Sequence, residues 1–396
     1  MAQVQFNPMD PEFVADPYPT YHRLRANDPV HRSPLGFWIL TRYEDVVSVL
    51  RDPRLGKEGI EALVAARYGA PAPAVGLSML VRDPPDHTRL RSLVNKAFTP
   101  RVVEVLRPRV QQIVDGLLDA VKRAGGMDLI EDFAYPLPVI VICEMLGVPA
   151  ADRERFKQWG LDIARSLDAL LLPPESDVAK RGAGARRALA EYFRALIAER
   201  RASPRPDLLS GLVAAEEAGD KLSEDELLAT CMLLLIAGHE TTVNLIGNGT
   251  LALLRHPAEL GRLRDDPTRI GSAVEELLRY DGPVQRTTRI PSEDVVIGGR
   301  TIGKGEMVMA FIGAADRDPA QFAEPDRLDI TRTDNRHVAF GLGIHFCLGA
   351  PLARVEGQIA INTLVSRLPK LALATDRPEY RQSLTLRGLT ALPVAF

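Results

Sequence analysis

Cysteine is scarce in this 396-residue chain: Cys143, Cys231 and Cys347 are its whole complement. No two of them fall in a CxxC, so zinc and iron–sulfur sites lack their ligands and a disulfide framework is not in view. Scattered thiols of this kind fit a reducing cytosol. A surplus of either charge is also missing. The chain has 49 basic and 52 acidic residues, a net charge of −3. Neither nucleic acid nor an anionic membrane is therefore expected as the main partner. Long hydrophobic runs are absent. The longest clean one, Cys231 to Ala237, falls far short of the roughly 18 residues of a membrane span. The opening MAQVQFNPMDPEF lacks the basic-then-apolar order of a signal peptide. A soluble cytoplasmic protein with no membrane anchor is expected. Internal repeats and low-complexity tracts are missing too, which removes solenoid architectures.

What is present is helical periodicity. Apolar residues recur at helical spacing over residues 18–27, 43–51, 85–98, 102–124, 136–146, 151–170 and 185–201. Strand signals are fewer. Residues 36–41 form one, residues 295–312 with Gly298-Gly299 read as a hairpin, and residues 384–396 with Gly388 read as another. The expected fold class is mainly α with a small β region, and the length suffices to enclose a cofactor. Two stretches, 56–76 and 171–184, carry Gly and Pro and read as mobile loops.

One helix stands out. Ser223-Glu224-Asp225-Glu226 fits a capping box, apolar periodicity runs from Leu227 to Leu254, and His256-Pro257 ends it. About 30 residues at 1.5 Å rise give ~45 Å. Its middle, Gly238-His239-Glu240-Thr241-Thr242-Val243-Asn244, is poor helix sequence, at up to about 1 kcal/mol per residue relative to alanine. Local rules broken inside a consistent element point to a functional site. The plainer reading is that Thr241 and Thr242 only bond their own helix backbone.

The run Phe340-Gly341-Leu342-Gly343-Ile344-His345-Phe346-Cys347-Leu348-Gly349 is the most specific segment. It places Cys347 in a glycine-rich loop at the start of a helical stretch over residues 350–368. Free N–H groups and the helix dipole there favour a thiolate, and a thiolate is a good axial ligand for haem iron. A lone cysteine as a small buried hydrophobe is the ordinary alternative. A dinucleotide fingerprint fails because Phe346 stands where its third glycine belongs. Elsewhere, Glu276 and Arg279 lie three apart on one helix face as an ion pair, and His87 and Arg91 lie four apart on another.

Taken together these segments resemble the cytochrome P450 monooxygenases, over essentially the whole chain and in the family's order. The resemblance implies a single P450 domain over residues 1–396, with haem between the long helix and the cysteine loop. It implies heme b with Cys347 as the iron ligand, and O2 as co-substrate. Haem contacts would come from His87, Arg91, Phe98, Ala237, Gly238, Arg289, Phe340, Gly341, His345 and Gly349. His87, Arg91, Arg289 and His345 would meet the propionates, whose two charges need cationic partners once buried. Ala237-Gly238-His239-Glu240-Thr241 matches the family's oxygen-activating motif, with Gly238 and a distortion of the helix making room, Thr241 a hydrogen-bond donor and Glu240 feeding protons through water. Glu276, Arg279 and Arg327 would be the buried scaffold. Met79, Leu80, Leu233, Ile236, Ala237, Val284 and Thr385 would line a pocket for an apolar or amphipathic organic substrate.

The activity so implied inserts one oxygen atom, by hydroxylation or epoxidation. Electrons from NAD(P)H would arrive through a ferredoxin or flavodoxin and its reductase, docking on Arg89, Lys96, Arg101 and Arg354. The rival readings are a peroxide-driven peroxygenase and a non-catalytic haem-binding module.

Overall fold

The apolar periodicity is followed closely by the backbone of the computed structural model, which describes residues 6–396 except 61, 64–65, 67–77, 172–175 and 218–221. Tyr18–Asn27, Tyr43–Arg51 and Pro136–Leu146 are helices with the expected ends. Other helices differ at their edges. Residues 85–98 divide into an α-helix, Asp86–Asn95, and a tight turn, Lys96–Phe98. Residues 151–170 are α-helical over Arg153–Arg165 and tighten into a 3₁₀ segment from Ser166.

The expected loop at 171–184 is corrected over its second half: a helix occupies Asp177–Ala202. Ser176 starts it, accepting a hydrogen bond from Ala179 N–H at 3.3 Å. Gly182 is not a turn residue; a side chain there would run into Ser166. That glycine permits close packing of two helices. Most of the other expected loop, 56–76, lies outside the described residues.

The chain divides into two compact units, each discontinuous in sequence. The first is Met1–Leu55, Leu106–Leu137 and Thr241–Phe396; the second is Gly56–Val105 and Pro138–Glu240. The first carries the β structure. Strands β1 (Val30–Arg32), β2 (Trp38–Leu40), β3 (Leu55–Gly56), β4 (Gly126–Asp128), β5 (Thr287–Pro291), β6 (Val295–Ile297), β7 (Arg300–Ile302), β8 (Val308–Ala310), β9 (Ala372–Leu373) and β10 (Pro393–Ala395) form three sheets. The five-stranded one runs β1-β2-β8-β5-β3. Trp38 faces Val308 in a parallel pair, and Thr287 faces Ala310 in an antiparallel one.

The expected hairpin at 295–312 therefore ends at β7. Gly298 and Gly299 make its turn at φ +53° and +78°, the left-handed pair that a two-residue turn requires. β8 leaves it to lie in the large sheet. The expected hairpin at 384–396 is corrected as well. Only β10 is regular, pairing with β4 and β9, and Gly388 abuts Asn244 of the long helix, with no room for a side chain.

Under the large sheet, Leu40, Val46, Leu50, Val308 and Ile312 form one apolar cluster. Leu245, Leu253, Leu263, Leu277, Leu328 and Ile361 form a second, joining helices Glu224–Arg255, Pro257–Asp265, Ile270–Asp281 and Ala350–Arg367. In the second unit, Phe156, Trp159, Tyr192 and Phe193 meet edge-on or tilted between the helices Arg153–Arg165 and Asp177–Ala202.

The long helix spans 32 residues, Glu224–Arg255. Its cap is reciprocal: Glu226 N–H donates to Ser223 Oγ at 3.2 Å and Ser223 N–H to Glu226 Oε2 at 2.9 Å. It is long and apolar enough to cross a membrane by composition, yet 72 % of its most apolar window is buried inside the protein.

Candidate functional site

In the first unit the cysteine loop is built by short-range hydrogen bonds. Cys347 N–H donates to Phe340 O at 2.9 Å, Gly341 N–H to Val338 O at 2.8 Å, and Phe346 N–H to Gly343 O at 3.1 Å. Gly341 and Gly343 adopt φ +68° and +70°, which side chains disfavour. At Gly343 a Cβ would also come within 2.5 Å of Leu50 O. The loop ends at Gly349, N-cap of the helix Ala350–Arg367. Cys347 is exposed; Cys143 and Cys231 are buried, and burial pushes both of those thiols up to about 12. Only Cys347 is placed to act as a thiolate.

The surroundings fit a haem. Ile344 and Phe346 beside the thiol are 50 % and 38 % exposed, an apolar surface suited to a flat macrocycle. Among the described residues no group of three or more His, Cys, Asp or Glu could hold a bare metal ion, so iron on Cys347 needs a ligand set that the porphyrin brings. Arg354 lies over the Phe340 ring at 4.5 Å and donates to both Glu275 oxygens at 2.7 and 2.8 Å. His337 Nε2 lies 3.0 Å from the same carboxyl. Against the burial that would raise it, these partners hold Glu275 down to about 2.

The scaffold pair is buried completely. Arg279 donates to both Glu276 oxygens at 2.8 Å and also to the carbonyls of Asp316, Pro325 and Arg327. The expected third member, Arg327, is corrected. Its side chain is half exposed, paired with Glu324 and Asp329, and only its carbonyl joins the network. Arg332 takes that place, with Nε 3.2 Å from Glu276 Oε2.

Arg289 is buried on β5 and donates to Thr287 Oγ1 and Thr288 O. His345 sits in the turn before the cysteine. Val284 and Thr385 lie on facing segments: Val284 bridges Leu386, and Gln285 N–H donates to Thr385 O. One residue escaped sequence reasoning. Glu356, buried in the helix after Cys347, is pushed up to about 8 by burial, opposed by a hydrogen bond with Thr242. Its Oε2 has no hydrogen-bond partner. Asn244 accepts from Arg381 at 2.6 Å.

In the second unit, His87 is buried on the helix Asp86–Asn95. Burial first, then the Arg91 charge, push its pKa below the ordinary range. An anion shared by these two groups would relieve that strain, which fits a propionate. Phe98 and Met79 are buried, Leu80 is exposed. The long helix runs as α-helix through Gly238–Asn244. Gly238 permits close approach of Ile142, which a Cβ would meet at 3.1 Å. His239 and Glu240 are buried, while Leu233, Ile236, Ala237, Gly238 and Thr241 are not. Leu233, Ile236, Ala237 and Thr241 follow helical spacing along one side, so the middle of the helix is not covered all round.

Of the four residues of the expected basic patch, Arg89 is paired with Glu226 and Asp86 and Arg354 with Glu275, while Lys96 and Arg101 are exposed.

Comparison with known proteins places this fold and loop. The cytochrome P450 family model matches residues 30–273 and 270–386. The chain is 48 % identical over 390 residues to a vitamin D(3) 25-hydroxylase of Pseudonocardia autotrophica, covering 96 % of this chain and 94 % of that one. It is 42 % identical to the 6-deoxyerythronolide B hydroxylase of Saccharopolyspora erythraea, covering 96 % of each. The crystal structure of myxobacterial CYP267B1 in complex with myristic acid superposes with a TM-score of 0.91 at 46 % identity, covering 98 % of each chain. The chain belongs to the cytochrome P450 family. It is a monooxygenase that uses a haem-thiolate cofactor and O2 on an organic substrate.

Proposed function

We propose that Cys347 would hold the haem iron through its thiolate and that the protein hydroxylates an apolar or amphipathic organic molecule. The observation that carries the assignment is the exposed thiol at a helix N-terminus, in a loop that Gly343 locks against Leu50 O. When bound, the haem supplies the chemistry that combines O2, two electrons and two protons with the substrate to give oxygenated product and water.

The chain's own residues do the rest. Arg91 and Arg289 would offer charge, and His87 and His345 hydrogen bonds, to the propionates of a bound haem. Glu276, Arg279 and Arg332 hold the approach to the loop. Glu240 would relay protons from solvent, and the Thr241 hydroxyl would be a hydrogen-bond donor beside it. The stripe Leu233, Ile236 and Ala237, with Met79, Leu80, Val284 and Thr385, meets the substrate, and its apolar character selects one with few charges. Relatives named for vitamin D(3) and 6-deoxyerythronolide B, and one structure holding myristic acid, support that class. Electrons come from NAD(P)H through a ferredoxin or flavodoxin in the cytoplasm, where the three cysteines stay reduced. Glu240 and Thr241 favour this route over peroxide, which brings its own protons.

The deciding experiment is the absorption spectrum of the reduced, carbon monoxide-bound protein beside Cys347→Ala. A strongly red-shifted Soret band in wild type, lost in the variant, is expected. The same histidine-type band in both proteins would sink the assignment.

A further inference from the structure

We propose that His239 is a positioning residue for Glu240, and that residue 160 is glycine so that the His239 ring fits. The inference rests on the proton role given to Glu240 above. His239 is 1 % exposed at the centre of the long helix. Its Nδ1 lies 2.7 Å from the carbonyl oxygen of Leu235, one turn back. A carbonyl only accepts, so Nδ1 carries the ring proton, and Nε2 of the neutral ring is an acceptor. Nε2 lies 3.9 Å from Glu240 Oε1. That gap is closed by a small side-chain rotation or one bridging water. A protonated Glu240 then donates toward Nε2; an imidazolium donates toward the carboxylate. In both states one proton lies between the two groups and fixes the carboxyl's direction. Both are buried, so the attraction is weakly screened.

Gly160 is the independent observation. It lies inside the helix Arg153–Arg165, where glycine costs about 1 kcal/mol relative to alanine, and its φ is not in the left-handed region that would demand it. A Cβ there would stand 2.6 Å from His239 Nε2 and 2.8 Å from Cε1. The glycine therefore vacates the place the imidazole occupies. Alanine at 160 would push the ring from the side on which Nε2 lies, so that position reports on His239 without altering it.

The test uses the haem-loaded enzyme with its electron donors. The variants are His239→Ala, His239→Gln and Gly160→Ala, each made with and without Glu240→Gln. Product formed per NAD(P)H consumed is one readout. The other is the ¹⁵N resonances of the His239 ring in the diamagnetic ferrous–carbon monoxide state. His239→Ala and Gly160→Ala are expected to lower product yield per NAD(P)H by about tenfold, a misplaced proton donor's cost, with substrate-induced spin shift unchanged. His239→Gln should recover most of it, because its amide reaches the Nε2 position. In the Glu240→Gln background His239→Ala should add nothing. The ring should be the Nδ1–H tautomer, with an Nε2 resonance that moves on Glu240→Gln.

Wild-type yield in His239→Ala, an equal loss in both backgrounds, or an Nε2 resonance indifferent to Glu240→Gln would each overturn the proposal. Glu240→Gln with wild-type yield and an intact thiolate band would instead overturn the proton role of Glu240, from which this inference starts.

Discussion

Glu356 is a carboxyl in a place that forbids its charge. It is fully buried, on the helix that follows the cysteine loop, and burial raises its pKa from 4.5 to about 8. The folded protein therefore keeps a proton there that the unfolded chain releases near 4.5. Between those values the native state binds more protons, so stability falls as pH rises, by up to about 1.4 kcal/mol per pH unit. Glu356→Gln removes that slope. The variant should match wild type at pH 4.5 and melt at increasingly higher temperature than wild type up to pH 8. Asp316, pushed up to about 7 by burial, acts with the same sign but is common to both proteins and cancels. A melting-temperature difference that stays flat with pH would show that Glu356 is ionised in the fold. Nothing in the sequence marked this residue. Its burial is set by packing, and its hydrogen bond by Thr242, far away in the chain, whereas the loop around Cys347 was legible because its turn, its glycines and its helix start all lie within ten residues of each other.

At the scale of elements, the ends of helices were readable and their contacts were not. Ser223 and Glu226 make the reciprocal cap that their spacing predicts. Ser223→Ala should lower stability by about 1 kcal/mol, measured by urea unfolding, and leave the helix in place. A change below about 0.3 kcal/mol would mean that Arg89, which also binds Glu226, already holds the first turn without the cap. Gly182 and Gly388 show the opposite case. Both looked like loop or turn signals, and both are where another element comes too close for a side chain. Glycine has two uses, conformational freedom and small size, and the sequence alone does not say which one is in play. At Gly298 and Gly299 the positive φ values settle it as freedom.

For the molecule as a whole, the order of motifs along the chain was enough for the family, but not for the wiring that holds the cysteine loop. Arg327 was the expected third partner of Glu276 and Arg279, yet Arg332 reaches Glu276, because the chain turns at 324–327 and presents Arg327 by its carbonyl. Two substitutions separate these readings. Arg327→Ala removes a half-exposed side chain whose ion pairs are worth about 0–1 kcal/mol, so unfolding and haem retention should hardly change. Arg332→Ala leaves Glu276, which is fully buried, with one cation in place of two, and its cost approaches the roughly 3–5 kcal/mol of breaking a buried pair. The segment that Arg332 pins leads directly into residues 338–347, so haem should be lost at lower denaturant in that variant than unfolding of the remaining helices. Chemical unfolding followed by both Soret absorbance and far-ultraviolet dichroism would check this. Coincident curves with an unchanged midpoint for Arg332→Ala, or a large loss for Arg327→Ala, would return the scaffold role to Arg327.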